Sequence, residues 1–164
     1  MNDGPAPGRR IPFREPADHE VAAGAIGGLT GSIAMWVPAM MAAPRDQGPL
    51  FPLRLVAASV LGPGALDSGS AAPALLGAVL SAFVAVVFGL VFVSILPQSA
   101  APRFALLAGA AYGAALFPPT WFVLVRVADP ILYSAGYGLP MFALHVTYGA
   151  VLGIQVPLLR KVLP

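Results

Sequence analysis

Four long stretches of this chain, residues 21–43, 71–96, 104–125 and 139–159, contain no Asp, Glu or Lys. Each supplies about the 20 apolar residues that a helix needs to cross a hydrocarbon core roughly 30 Å thick. An unpaired backbone in lipid has no water to bond, so a stretch of this kind folds as a helix. The expected fold is therefore all-α: a polytopic membrane protein with four transmembrane helices. The stretches also lack the buried carboxylates on which pumps and ion-coupled carriers commonly rely.

Only 10% of the 164 residues are charged, against about 25% in a soluble domain, and mean hydropathy is +0.82. The four spans use most of the length and leave no room for a separate soluble domain. The division read from the pattern is a polar tail over residues 1–20, a transmembrane domain over 21–159, and a short end at 160–164. The formal net charge of +2 is scattered and small, which argues against nucleic acid as a partner. With no cysteine, the chain has no disulfide, thiolate metal site or thioether haem attachment.

The tail carries Pro5, Pro7, Pro12 and Pro16 and reads as extended. The apolar run behind it is longer than a signal-peptide core, so the first span is expected to be retained. That span is rich in small residues. Gly24 and Gly28, like Gly27 and Gly31, have the four-residue spacing that lets two helix backbones approach closely.

The longest connection, residues 44–70, contains Leu53, Val56, Ala57, Val60 and Leu61 at helical spacing. This piece, about 53–61, is too short to span and reads as an amphipathic helix lying in the interface. In the third span, Pro118-Pro119 removes two backbone donors and predicts a kink or break. Arg126 and Asp129 are spaced to pair at the surface beyond it. Trp36 and Trp121, near the ends of their spans, suit the aromatic belt.

Orientation follows from the basic residues. With the N-terminus inside, Arg9, Arg10, Arg14, Arg103, Arg160 and Lys161 are cytoplasmic, against Arg45, Arg54 and Arg126 outside. This predicts a bacterial inner-membrane protein with both termini in the cytoplasm.

There is a faint internal repeat. Ala23-Gly24-Ala25 with Gly28 and Trp36 matches Ala108-Gly109-Ala110 with Gly113 and Trp121 at one offset of 85, and Phe88-Gly89 resembles Tyr148-Gly149 at another offset. Two parallel two-helix halves related by an axis along the membrane normal would give this pattern. A bias toward small residues would give it too.

The Gly/Ala-rich first span, the Pro-Leu-Arg-Leu-Val-Ala-Ala piece starting at Pro52 and the His-Val-Thr-Tyr-Gly-Ala-Val-Leu-Gly run starting at His145 resemble a group of bacterial four-helix inner-membrane proteins. The resemblance implies the four-span topology and carries no activity with it.

His145 is the sharpest chemical candidate, with Tyr148 one turn away on the same face. A neutral imidazole there could ligate haem or a pigment magnesium, or hydrogen-bond a quinone carbonyl. The alternative is an interhelical hydrogen bond to Tyr112, Thr120 or a carbonyl freed near Pro118. Gln155 reads as a helix-packing amide. Arg54 and Arg126 suit lipid phosphate or a partner's carboxylate.

No catalytic set and no His/Asp/Glu metal cluster emerges. No resident cofactor is required by the sequence, and membrane lipids are the expected contacts. The favoured expectation is a non-catalytic accessory or scaffold subunit of a larger membrane complex, respiratory or photosynthetic, with other membrane subunits as partners. A small homo-oligomeric transporter or channel, and a haem-, chlorophyll- or quinone-binding subunit using His145, are the alternatives.

Overall fold

A computed structural model of the chain describes residues 18–67, 69–134 and 136–163; most of the polar tail, with Arg9, Arg10 and Arg14, lies outside the described residues. The described residues are helical, with no strand among them. Helices α1 (Asp18–Met41), α3 (Ala72–Ile95) and α7 (Gly138–Val162) each run the length of a span. The third span is composite: α4 (Pro102–Pro118), a π-helical segment (Pro119–Val125) and the single turn α5 (Arg126–Ala128). All four are long and apolar enough to cross a membrane. The short helices α2 (Phe51–Leu61) and α6 (Pro130–Ser134) lie in the α1–α3 and α5–α7 connections. The chain is a multi-pass, all-α membrane protein.

Proline placement sets several of these boundaries. Pro73 and Pro102 occupy first-turn positions, where a missing N–H is no loss. The Pro118-Pro119 pair does not break its span. The helix widens into a π turn directly after it, which makes room for the rings while the chain continues across.

Helix α2 buries a different face from the one its spacing suggests. Leu53, Leu55, Ala57 and Ala58 are buried, whereas Val60 is 65% and Leu61 52% exposed. Gly77 on α3, which has no side chain, lets the Leu53 carbonyl press against its backbone where α2 packs on α3.

The bundle is built from two glycine seams. A Cβ on Gly24 would lie 3.0 Å from the Gly89 carbonyl oxygen, and one on Gly28 would collide with the Ala85 carbonyl. This joins α1 to α3. A Cβ on Gly109 would collide with the Gly149 carbonyl, and one on Gly113 with the His145 carbonyl. This joins α4 to α7. The two seams correspond residue for residue. Gly24 and Gly28 shift by 85 to Gly109 and Gly113, while Gly89 and Ala85 shift by 60 to Gly149 and His145. Helices α1 and α4 run the same way across the bundle, so the halves are parallel.

The core follows the same correspondence. Phe92 and Leu96 of the first half match Leu152 and Val156 of the second, and all four are buried in one cluster with Ala105. The halves then meet unequally. Gly27 and Gly31 admit α7 against α1: Leu152 and Val156 side chains stand 3.2 and 3.3 Å from a Gly27 Cβ, and the Tyr148 ring 2.8 Å from a Gly31 Cβ. The matching positions on α4 are Tyr112 and Leu116, which fill the space toward α3 instead. The Tyr112 hydroxyl donates to the Phe88 carbonyl at 2.8 Å and its ring lies 5.2 Å from that of Phe92.

The end of the bundle that carries the described chain ends is closed by a polar clasp. Arg160 Nη2 is 2.8 Å from Glu20 Oε2, and its Nε is 3.2 Å from the same oxygen. Gln98 Nε2 donates to Glu20 Oε1 at 3.0 Å. Arg160 also donates to the Val93, Leu96 and Pro97 carbonyls at the end of α3, groups that a helix terminus leaves without partners. Glu20, at the charged edge of the tail in the sequence, thus sits inside α1 and ties α1, α3 and α7 together.

Candidate ligand-binding cavity

At the opposite end from the clasp, the unequal contact between the halves leaves a cavity of about 280 Å³ among α1, α2, α3, the π-helical segment, α6 and α7. Its walls repeat. Ser81, Ala85 and Phe88 on α3 face it, and so do their counterparts Met141, His145 and Tyr148 on α7. Met35 and Trp36 on α1 face it with their counterparts Thr120 and Trp121. The cavity therefore lies where the two halves meet, the place where repeat-built membrane proteins put their sites.

Most of the wall is apolar, and its few polar groups are distinct in kind. His145 is 7% exposed. Its Nδ1 is 2.7 Å from the Met141 carbonyl oxygen one turn earlier. A carbonyl only accepts, so Nδ1 carries the proton and Nε2 is left as a lone-pair acceptor. The Phe117 ring packs edge-on against the imidazole, 5.7 Å between centroids. His145 makes no interhelical bond to Tyr112 or Thr120; among the described residues its hydrogen bond is within α7. Tyr148 is buried, and its hydroxyl donates to the Ala85 carbonyl at 2.6 Å, across to α3.

Ser81 differs from its neighbours. Ser59, Ser94 and Ser134 each donate to a backbone carbonyl three residues earlier in their own helix. The Ser81 hydroxyl oxygen is buried with no hydrogen-bond partner.

Asp129 lines the mouth of the cavity and is 5% exposed. It does not pair with Arg126. Its Oδ1 accepts the Leu132 N–H at 3.0 Å and so caps α6. Burial pushes its carboxyl above its ordinary value, and the Leu132 hydrogen bond partly opposes that. Arg126 is exposed, with its guanidinium carbon 5.8 Å from the Tyr133 ring centroid.

Trp121 is no belt residue. It is 5% exposed, stacked on Phe117 at 6.1 Å and tilted against Tyr133 at 5.6 Å. Trp36 is half-buried on the cavity wall. Gly24, Gly27, Gly28 and Gly31 are all buried, two toward α3 and two toward α7. Arg54 donates to the Ser70 carbonyl at 3.4 Å, and its Nε is buried without a partner.

A second apolar cavity, about 360 Å³, lies between the end of α1, the start of α2 and the start of α7. Leu132 and Met141 belong to the walls of both cavities. No group of three His, Asp or Glu residues able to hold a metal occurs among the described residues.

The sequence alone singles out His145 and Tyr148, passes over Ser81 and reads Asp129 as a surface partner of Arg126. The repeat held the signal for Ser81: at the offset of 60, Ser81, Ala85 and Phe88 align with Met141, His145 and Tyr148.

Comparison with known proteins gives no match to any family model, curated protein or solved structure.

Proposed function

We propose that this chain is a non-catalytic protein of the bacterial inner membrane, both termini cytoplasmic, that holds a lipophilic small molecule between its two halves. The observation that carries this reading is the cavity: apolar, lined by matching positions of both halves, and supplied with a buried Ser81 hydroxyl and a His145 Nε2 that the fold leaves uncommitted. Binding sites for small molecules are typically mostly apolar, with few placed polar groups. The adjoining apolar cavity shares Leu132 and Met141 with it.

The test is native mass spectrometry of the chain released from membranes in lipid discs. The wild type is expected to carry one lipophile per chain, and Ser81→Trp, which fills the cavity, to carry none while remaining folded. Identical lipid content in the two proteins would refute the reading.

A second reading, accessory subunit of a larger membrane complex, is favoured by Gln155. Its amide is half-buried in α7 and makes no hydrogen bond among the described residues. An amide in lipid favours a partner helix that can bond it. Mild-detergent pull-down should then recover stoichiometric membrane partners, and Gln155→Leu should release them; recovery of the chain alone would exclude this reading.

A further inference from the structure

We infer that the ligand of the cavity is a lipophilic alcohol or phenol rather than a ketone, quinone or carboxylic acid. The inference rests on the binding reading above and adds the chemistry of the ligand's head.

The Met141 carbonyl fixes the proton of His145 on Nδ1. A neutral imidazole in that tautomer can accept at Nε2 and cannot donate there. A quinone or ketone oxygen only accepts, so it finds no donor on His145. A hydroxyl can donate to Nε2 and, through its own lone pairs, accept from another group.

Ser81 provides that other group. Its buried hydroxyl oxygen is unpartnered, whereas those of Ser59, Ser94 and Ser134 are bonded to their own helix backbone. A ligand hydroxyl that donates to His145 Nε2, and accepts from Ser81 once that side chain turns toward the cavity, satisfies both. A carboxylate would bring a charge into a cavity with no facing cation and with Asp129 at its mouth. Ser32, Ser59 and Thr120 also line the wall, but most of the rest, including Met35, Phe88 and Leu124, is apolar, so the body of the ligand is hydrocarbon. A cavity of about 280 Å³ admits a compact ring system or one end of a longer chain.

Menthol and menthone test this, because they share a carbon skeleton and differ in hydroxyl against ketone. The chain's two tryptophans, Trp36 and Trp121, both line the cavity and report occupancy through their fluorescence. Titration in lipid discs, with ligand concentration expressed within the lipid, gives a half-saturation point for each. The hydroxyl should bind about fivefold more tightly in the wild type, the size of one uncharged hydrogen bond. His145→Leu should erase that preference by weakening menthol and leaving menthone unchanged, whereas Ser81→Ala should weaken both, because a ketone oxygen accepts from a serine hydroxyl as a ligand hydroxyl does. Equal or tighter binding of menthone to the wild type would overturn the alcohol assignment and leave the cavity reading standing. If neither compound saturates, the cavity reading itself fails.

Discussion

The two halves of this bundle share a seam and differ in what they place beside it. In the first half, Gly24 and Gly28 press on the Gly89 and Ala85 carbonyls; in the second, Gly109 and Gly113 press on those of Gly149 and His145. The backbone geometry is held by the glycines, so the side chains on the far face are free to diverge. Ala85 and Phe88 of the first half become His145 and Tyr148 in the second. Gly27 and Gly31 become Tyr112 and Leu116, which separate α4 from α3 where their counterparts let α7 close on α1. The divergence is thus confined to the contact between halves, and the cavity is there. A close seam conserves a shape, and the wider contact beside it is where polar chemistry is added.

The largest effects are expected from breaking either seam. Gly28→Leu and Gly113→Leu each force a side chain into a facing backbone carbonyl, which cannot move without the helix. Both should lose the folded bundle, seen as aggregation on size-exclusion chromatography in mild detergent. Overpacking of a core commonly costs about 1–3 kcal/mol and occasionally more; collision with a facing backbone, relieved only by parting the helices, exceeds that range. Gly27→Ala meets only side chains, 3.2 Å or more away, and should be milder. Equal damage from Gly27→Ala and Gly28→Leu would blur the distinction between the seam and the inter-half contact.

Next in size is the clasp, which has no counterpart in the second half because Ala105 occupies the position matching Glu20. Arg160→Ala leaves the Glu20 carboxylate buried and unpaired, along with three α3 carbonyls. Loss of one partner of a buried pair typically costs about 3–5 kcal/mol. Denaturation by SDS in mixed micelles should show it as a marked fall in midpoint.

Smaller effects separate the two tyrosines. Tyr112→Phe and Tyr148→Phe each remove one bond to an α3 carbonyl, worth about 1 kcal/mol. Tyr148 is the more deeply buried, so its loss should be the larger in the same assay.

The smallest expected effect is on pH dependence. The carboxyl of Asp129 is raised in the folded chain, so the fold favours its protonated form. Its contribution to stability is fully present below the unfolded value, about pH 4, and is lost as pH rises through the folded one. Asp129→Asn should flatten that slope, and an unchanged slope would remove Asp129 as its source.

The four spans were legible in the sequence because an apolar run of membrane length has one solution in lipid. The small residues of α1 were legible too, since a four-residue glycine spacing faces one side of a helix. The partners of those glycines were not, because two apolar helices offer little to distinguish one contact from another. Glu20 and Arg160 are 140 residues apart, and nothing local marks them as a pair. Trp121 is buried although it lies near a span end, because Phe117 and Tyr133 cover its ring, and the contact with Tyr133 depends on how the chain folds back after the span. His145 stood out by residue type, while its proton position depends on a carbonyl one turn away on the same helix.

The most direct test of the account is the imidazole nitrogen spectrum of His145 in lipid, with His19→Gln leaving a single labelled histidine. The account predicts a proton on Nδ1, an unprotonated Nε2 at neutral pH, and a shift of the Nε2 resonance alone when menthol is added. A proton on Nε2, or an Nε2 resonance indifferent to menthol at saturating amounts in the bilayer, would contradict it.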